Sequence, residues 1–508
     1  MNQPARADRQ YISQGSDWNF ELIARYDEEI GRLAQEFGLD TYPNQIEVIR
    51  SEQMMDAYAS IGMPVGYHHW SFGKHFVEVA QRYQRGEMGL AYEIVINSDP
   101  CIAYLMEENT ITTQALVIAH ACYGHNSFFK GNYLFRTWTD AGSIIDYLLF
   151  AKKYIADCEE RHGVRPVEEI LDSCHALMNY GVDRYKRPYP ISAEEEKRRQ
   201  RERQEYVQRT LNDLWRTIPK AEAAHEEEES FPEEPQENLL YFIEKNAPLL
   251  EPWQRELVRI VRKIAQYFYP QRQTQVMNEG WATFWHYTLL NALYDEGKVD
   301  DGFMMEFLSS HTGVLAQPPY DDPLYNGINP YALGFAMFTD LRRICDQPTA
   351  EDHEWFPDIA GAPWREVLSH AMRNFKDESF ILQFLSPKVM RDQRLFGVID
   401  DESEDTYEIA AIHDAQGYRR VRELLASQYN LGDQEPNIQI VKVDVRGDRS
   451  LTLAHEQHAR RPLHAENSRE VLKHLYRLWG FPVRLESLSD GEAVEVRTCP
   501  ELEPEPED

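Results

Sequence analysis

Two histidines in an apolar segment are the first residues of this sequence that could do metal chemistry. His120 and His125 stand in the run ITTQALVIAHACYGH, which predicts a helix that begins after Asn109 or Thr110. On an ideal α-helix, five residues turn a side chain by about 140° from its starting direction. Both imidazoles can still reach one ion if a π-bulge absorbs the extra residue. The alternative is that the helix ends at Gly124 and lets His125 swing back.

This histidine pair resembles, with two differences, the HExxH pattern of zinc peptidases. In that pattern histidines at i and i+4 bind zinc and the glutamate is the general base. Here the spacing is i, i+5, and Ala121 stands where the glutamate would be. The other reading is a pair of ordinary histidines at a helix end.

A second segment, MNEGWATFWH, is similar to the stretch that supplies the third zinc ligand in gluzincin-type metallopeptidases. Glu279 would be that ligand, and His286 lies two helical turns further along the same face. We therefore predict an open Zn²⁺ site of hydrolase type, with His120, His125, Glu279 and His286 as candidate ligands. A carboxylate that only caps a helix start is the alternative role for Glu279.

Residues near these segments are candidates for the catalytic roles. Glu107 and Glu108 precede the histidine helix, and either could be the base that Ala121 cannot be. Tyr331 in GINPYALGF, or His311 upstream, could hold a developing oxyanion. The alternatives are first-turn acids that favour the helix dipole and a packed tyrosine.

Two further histidine-containing segments are weaker candidates. His175, in SCHALMNYGVDRY, could be a ligand or a proton shuttle, with Asp183 orienting an imidazole. A structural Asp–Arg or Asp–His pair explains the same residues. The turn-rich stretch 62–76 is predicted to be an ordered, substrate-facing loop that carries His68, His69 and His75.

The elements that must position these residues are mainly helices. A helix is predicted at 17–38 and a strand, LAYEIVIN, at 90–97. A charged helix at 192–215 and an acidic linker at 219–237 form an exposed excursion, partly flexible, at about 190–238. Further helices are predicted at 140–160, 165–180, 251–268, 276–295, 301–311, 331–345 and 363–374.

The composition changes near residue 396. From there the pattern predicts strands and helices in alternation: strands at 407–413, 437–445, 451–457, 482–488 and 492–498, and helices at 417–429 and 468–480. The predicted organisation is a mainly helical, His-rich domain at 1–395 with a small β element, followed by a small α+β domain at 396–508 with an acidic tail.

Charge and cysteine usage exclude several classes of function. The formal net charge of −32 over 508 residues disfavours general binding to nucleic acid or to anionic membranes. Six cysteines without a CxxC pair fit a reducing compartment. No apolar signal core and no run of about 18 apolar residues is present, so we expect a soluble, cytoplasmic protein.

At these segments the chain resembles the SpoVR family, named for stage V sporulation protein R. The resemblance covers nearly the whole chain and looks like the form found in Gram-negative bacteria that do not sporulate. The stretches that carry it are TYPNQIEVI, GYHHWSFGKHF, LAYEIVINSDPCIAYLMEENT, AHACYGHNSFFKGNYLF, DSCHALMNYGVDRY, QVMNEGWATFWHY, INPYALGFAMF, LSPKVMRD and NIQIVKVDVRGDRSLTL.

The family resemblance and the peptidase-like segments lead to two hypotheses. The family is associated with the spore cortex, a peptidoglycan layer, and elsewhere with stationary-phase and stress programmes. Together with the zincin-like metallopeptidase segments, this implies a zinc-dependent hydrolase of amide bonds in muropeptides or other peptides. The alternative is a non-catalytic regulatory scaffold for a PrkA-type serine kinase and a YhbH/YeaH-type protein, which accompany family members.

Overall fold

The computed structural model describes most of the chain, with gaps. The described residues are 10–59, 66–67, 69–70, 93–185, 231–319, 322, 325, 327–399, 408–411, 414–458, 461–489 and 491–500. His68, His75, the charged helix at 192–215 and the tail at 501–508 lie outside them.

Helices dominate the described chain, as predicted. In chain order they are α1 (Phe20–Phe37), α2 (Ser51–Ala59), α3 (Ile111–Val117), a π-helical segment (Ile118–His125), α4 (Asn126–Gly131), α5 (Tyr133–Trp138), α6 (Ile144–His162), α7 (Val164–Ala176), α8 (Leu239–Asn246), α9 (Pro252–Arg272), α10 (Gln275–Asp295), α11 (Asp301–Val314), α12 (Pro330–Asp346), α13 (Ala350–Trp355), α14 (Trp364–Asn374), α15 (Asp377–Phe384), α16 (Pro387–Asp392), α17 (Ala415–Ser427), α18 (Leu431–Gln434) and α19 (Ala465–Trp479).

The strands form three small sheets. They are β1 (Asn44–Ile49), β2 (Glu93–Ile96), β3 (Cys101–Met106), β4 (Gly397–Ile399), β5 (Glu408–Ala411), β6 (Asn437–Val443), β7 (Leu451–Glu456), β8 (Val483–Ser489) and β9 (Glu492–Cys499). No helix among the described residues is long and apolar enough to cross a bilayer.

By its contacts the chain divides into two compact units. The first combines Met1–Glu168 with Gln266–Glu435, and the second combines Glu169–Ala265 with Pro436–Asp508. This division differs from the predicted boundary at 395/396. β4 and β5 pair only with each other among the described strands, and Tyr418, Val421 and Leu425 of α17 pack into the core of the first unit.

The second unit has the α+β character predicted for the C-terminal region. Its sheet has the order β6-β7-β8-β9, in which only β7 and β8 run parallel. The segment before α8 joins this sheet through a bridge between Gln236 and Ile440. Phe242 of α8 stacks on Trp479 of α19, with ring centroids 6.0 Å apart. These contacts explain why residues from the middle of the chain belong to the C-terminal unit.

In the first unit, the sheet β1-β3-β2 separates two apolar layers. β1 runs parallel to β3, and β2 runs antiparallel to it. Successive side chains of a strand alternate between faces. Ala103 and Leu105 of β3 face the large helical core, whereas Tyr104 faces the smaller cluster around Met54 of α2. Glu93 pairs with Leu105 in register, so it lies on the face that looks toward the helical core.

Three helical segments approach each other closely at small residues in this core. A Cβ atom added to Gly124 of the π segment would lie 2.6 Å from Ala282 Cα on α10. A Cβ atom on Gly280 would lie 2.4 Å from Gly334 Cα on α12. Because no real Cβ tolerates such distances, the backbones of these segments can pack together only if the glycines remain glycines.

Replacing Gly280 with alanine should therefore destabilise the first unit. We expect Gly280→Ala to cost about 1–3 kcal/mol or more, since the added methyl group meets the backbone of Gly334, which has no flexible side chain to move aside. Gly313→Ala on α11 is the matched control, because nothing lies within 4 Å of its added Cβ. That variant should be neutral or slightly stabilising. Thermal unfolding of both variants measures the difference, and equal melting temperatures would contradict the close crossing.

A buried acid organises the helices of the second unit. Glu244 of α8 is 2% exposed, and its carboxylate lies 2.9 Å from Lys245 Nζ, 3.0 Å from Arg259 Nε and 3.1 Å from Arg262 Nε. Burial alone would raise the pKa of Glu244, but the three cations lower it below its ordinary value of 4.5. Its ion pairs therefore stabilise the fold above about pH 4.5, and that contribution is lost as the pH falls through the lowered pKa.

The variant Glu244→Gln tests this pH dependence. At pH 7 we expect a loss of about 2 kcal/mol, the scale of hydrogen bonds to charged groups. The difference in unfolding free energy from wild type should narrow as the pH falls below 4.5, where the unfolded carboxylate becomes protonated, and should be lost below the lowered pKa of the native carboxylate. Glu256→Gln, which removes a single more exposed partner of Arg259, should cost less than about 1 kcal/mol. Urea titrations at pH 7 and pH 4 provide the comparison, and a gap that does not depend on pH would refute the assignment.

Candidate metal centre

The π-helical segment solves the spacing problem of the histidine pair. Its i+5 turn places His120 and His125 on one face, with ring centroids 4.6 Å apart. Of the two predicted possibilities, the π-bulge is confirmed. The helix end predicted at Gly124 is wrong, because helical backbone continues without a break through α4 to Gly131. The absence of a side chain at Gly124 instead serves the contact with Ala282.

Two carboxylates face the two imidazoles. The Nε2 atom of His120 lies 3.2 Å from Glu93 Oε1 and 3.6 Å from Glu279 Oε2. The Nε2 atom of His125 lies 3.7 Å and 3.4 Å from the same two oxygens. Ligand atoms bound at 2.0–2.2 Å around one tetrahedral ion are separated by roughly 3.3 Å. The four imidazole–carboxylate distances are thus close to the separation between ligand atoms of a single zinc ion.

The donor set fits a divalent metal ion. All four side chains are mostly buried, and the ligand atoms of Glu93, His120 and His125 lie within 4.8 Å of one another. The Glu279 Oε2 atom is buried and makes no hydrogen bond with the described residues. A buried carboxylate oxygen in this situation is costly unless a cation compensates it.

The protein's own charges compensate part of that cost. Burial alone would raise the pKa of Glu279, but His125 and His120 lower it well below its ordinary value. Burial alone would lower the pKa of His125, but Glu279 and Glu93 raise it to about 9. Burial raises the pKa of Glu93 despite the two histidines. The protein chain alone therefore holds an ion pair here, and a metal ion must displace its proton.

Glu279 is positioned by the start of α10. Thr274 stands at the N-cap without a side-chain cap, and Asp377 of α15 supplies one instead. The Asp377 carboxylate accepts hydrogen bonds from the backbone N–H of Val276 at 2.9 Å and of Met277 at 2.8 Å. A remote acid therefore fixes the first turn of α10, from which Glu279 projects.

The outer nitrogen of each histidine is also bonded. His125 Nδ1 lies 2.9 Å from Asn278 Oδ1, an acceptor, so Nδ1 carries a proton. Nε2, which faces the carboxylates, is the nitrogen that can bind a metal ion once its own proton is displaced. His120 Nδ1 lies 2.9 Å from His286 Nδ1, and His286 Nε2 lies 2.8 Å from His311 Nδ1. Two sets of tautomers satisfy this chain, with opposite directions of donation. In the set that leaves the Nε2 lone pair of His120 available to a metal ion, His120 donates to His286, which donates to His311.

Burial keeps the outer members of this histidine chain neutral. Burial and the neighbouring His120 lower the pKa of His286 well below its ordinary value. The same two causes lower the pKa of His311 to about 4. His286 is thus a hydrogen-bond partner behind His120, on the side away from the carboxylates. The structure does not bring His286 to the ligand position that was predicted for it, and the fourth group that faces the two Nε2 atoms is Glu93.

The predicted catalytic residues fall in different places. Tyr331 lies beside the site, its ring stacked 6.2 Å from that of His120. Glu107 and Glu108 are exposed beyond the end of β3 and are not brought to the site. Glu107 lies 3.4 Å from Arg50, and Glu108 accepts a hydrogen bond from the backbone N–H of Ser51. These contacts hold both acids at the edge of the sheet.

His311 and His175 are not positioned for the roles predicted for them. His311 is separated from the carboxylates by two imidazoles, too far to hold an oxyanion there. His175 lies at the end of α7 in the second unit, where Asp183 accepts a hydrogen bond from Asn238 at 2.8 Å. The first unit assembles its four-residue cluster without these residues.

Glu93, Asn278 and Asp377 are the functional residues that the sequence analysis missed. Glu93 carried a usable signal: it is a charged residue in the predicted strand LAYEIVIN, two positions from Val95 and therefore on the same face. A charge at a core-facing position of a strand is rare unless it is paired or bound. Asp377 carried none, since its partners lie a hundred residues away in the sequence.

Comparisons with known proteins agree with the resemblance found in the sequence. Residues 17–434 match the model of the family described as SpoVR like protein, and residues 436–490 match the SpoVR-like C-terminal domain. The chain belongs to the SpoVR family. It is 66% identical over 496 residues to the uncharacterized protein YcgB of Escherichia coli (strain K12), a match that covers 97% of each chain. No solved structure matches the chain.

In this SpoVR family member, the whole candidate metal centre lies within the segment matched by the first model. The boundary between the two models coincides with the division of the contacts at Glu435 and Pro436. The likeness to zincin-type metallopeptidases remains a prediction from short sequence segments.

Proposed function

We propose that this protein is a zinc-dependent hydrolase of amide bonds, with His120, His125 and Glu279 as metal ligands. The observation that carries the proposal is the convergence of both Nε2 atoms and two carboxylates at 3.2–3.7 Å in a buried site. Two imidazoles and one carboxylate form the three-ligand set of catalytic zinc sites, which keep a fourth position for water. When bound, such an ion supplies an activated water molecule and polarises a carbonyl group.

Glu93 is the proposed proton acceptor. Ala121 leaves the histidine helix without the glutamate that zinc peptidases use as a base. Glu93 reaches the same space from β2, with Oε1 at 3.2 Å from His120 Nε2. A carboxylate at the edge of the ligand set is within one water molecule of the metal position, as a general base must be.

Tyr331 and the histidine chain complete the proposal. The Tyr331 ring stacks beside His120, so it borders the metal position from α12 and is the candidate for contacting the substrate carbonyl. With His286 and His311 as successive acceptors, His120 has the tautomer in which Nε2 is available to the metal ion. The proposed substrates are muropeptides or other peptides, as the association of the family with peptidoglycan suggests.

Elemental analysis of the purified chain tests the metal site. We expect about one zinc per chain in wild type and a loss of that zinc in Glu279→Ala and His120→Ala variants that remain folded. Glu107→Gln is the matched control, because this exposed glutamate lies at the edge of the sheet and should leave the zinc content unchanged. Wild-type protein without metal after growth with zinc would overturn the proposal.

The variant Glu93→Gln separates a proton acceptor from a fourth ligand. If Glu93 is the base, the variant keeps its zinc and loses hydrolysis of muropeptide and peptide mixtures by 100-fold or more, as followed by mass spectrometry. If zinc is lost as well, Glu93 is a ligand and its role as base is refuted. A wild type that binds zinc but hydrolyses nothing would favour the regulatory alternative, a scaffold for a PrkA-type kinase and a YhbH/YeaH-type protein.

The hydrogen bond between Asn278 and His125 gives a further prediction. Asn278→Ala removes the acceptor that fixes the tautomer of His125, so zinc affinity should fall by about 10–100-fold. Competition with a chromogenic chelator measures the affinity. Asn291→Ala, on the exposed face of the same helix, should leave it unchanged. An unchanged affinity in Asn278→Ala would mean that His125 does not bind the metal through Nε2.

A further inference from the structure

A cavity far from the histidine cluster in sequence carries charges that the fold leaves unpaired. Its volume is about 400 Å³, within the range of small-molecule sites, and it opens between α13, α15 and α17 of the first unit. It shares no residue with the metal centre. Its lining residues are Glu354, Trp355, Leu382, Arg419, Arg422 and Glu423.

Two arginines are held over one tryptophan in this cavity. The guanidinium carbons of Arg419 and Arg422 lie 5.8 Å and 5.0 Å from the centre of the Trp355 ring. Arg422 also donates hydrogen bonds from Nε at 3.0 Å and Nη2 at 2.6 Å to the carbonyl oxygen of Leu385. The guanidinium of Arg422 is therefore fixed in place before any ligand arrives.

Neither arginine has a carboxylate partner in the part of the chain that the structure describes. Other arginines nearby do: Arg343 forms a fork with Asp352, and Arg391 forms one with Glu351. The net charge of the chain is −32, so acidic partners are abundant. Burial and the neighbouring Arg419 lower the pKa of Arg422 to about 10. A planar, pre-positioned guanidinium without a carboxylate partner is suited to a carboxylate or phosphate ligand.

The acids of the cavity remain apart from these arginines. Glu354 forms no ion pair among the described residues, and Glu423 contacts only Arg420, at 3.5 Å on the exposed side of α17. The cavity thus presents two cations without anions and an acid without a cation. A simple anion would satisfy the arginines but would be repelled by the glutamates, whereas a ligand with both charges satisfies both groups.

We propose that this cavity binds a small zwitterion, an amino acid or a short peptide. Its carboxylate pairs with Arg419 and Arg422, and its ammonium group faces Glu354 and Glu423. Leu382 and Trp355 supply the apolar surface against which the body of the ligand lies. The site is independent of the proposed hydrolase activity, because it uses neither the metal ligands nor their bonding partners.

Calorimetric titration of the full-length protein tests the proposal with defined probes. The probes are the twenty L-amino acids, each at up to 10 mM, and the dipeptide L-Ala-L-Ala. Comparing them shows whether the zwitterion is a free amino acid or a short peptide. We expect at least one to bind, and its C-terminally amidated and N-acetylated forms to bind at least tenfold more weakly. Arg419→Gln should weaken binding about tenfold or more, since it removes a charge-assisted hydrogen bond.

Arg373→Gln is the control, because Arg373 is an exposed arginine on α14 of the same unit and does not line the cavity. Its affinity should equal that of wild type. The proposal is overturned if no probe binds, if Arg419→Gln binds as wild type does, or if the N-acetylated form binds equally well. Inorganic phosphate binding more tightly than every zwitterion would identify an anion site instead. The Glu279→Ala variant should bind the probe with wild-type affinity, so the test of this cavity does not depend on whether the metal site exists.

Discussion

The close crossing of three helical segments is the constraint on which the candidate site depends. Packed helices usually lie 8–10 Å apart, a distance set by the side chains between them. Here Gly124 meets Ala282, and Gly280 meets Gly334, with almost no side chain between the backbones. This contact brings the histidines of the π segment within reach of Glu279, which stands one residue before Gly280. The glycine and alanine of the NEGWA segment thus position the glutamate that precedes them.

The charge balance of the site follows from this packing. Two imidazoles and two carboxylates share a mostly buried space, where isolated charges are expensive and paired charges are tolerated. The outer nitrogens of the histidines are all bonded to other buried groups, so the rings cannot turn to relieve a mismatch. The site is preorganised as binding sites require. The hydrogen-bond partners of His120 and His125 hold the two rings in place, and helices carry both the rings and their partners.

The local sequence pattern predicted the helices and strands well, but it predicted only some of the contacts between them. Apart from the charged helix at 192–215, which lies outside the described residues, every helix predicted between 140 and 374 is present, with ends no more than four residues from those expected. The pairing of His120 and His125 with Glu279 was also foreseen, because helical spacing and a short motif carry that information within a few residues.

Glu93 was not foreseen as a site residue, because the face of a strand toward the core is decided by its neighbours in the sheet. Glu107 and Glu108 show the converse: nearness in sequence to the histidine helix did not bring them near in space. The contacts divide the chain at Glu435 and Pro436, whereas the local pattern placed the boundary at 395/396, because β4–β5 and the strands of the C-terminal sheet look alike in sequence and only their pairing separates them.

The π segment can be regarded as a single-residue insertion in a continuous helix. Deleting one residue between His120 and His125 would restore ordinary α-helical winding and the i, i+4 spacing of zinc peptidases. Everything after the deletion would then rotate by about 100°. Phe128 and Phe129, now buried, would leave the core, and Ser127 would lose its contact with Trp281. The irregular winding is thus maintained by the residues that follow it, and one deletion would give the i, i+4 spacing only if the interior of the unit repacked.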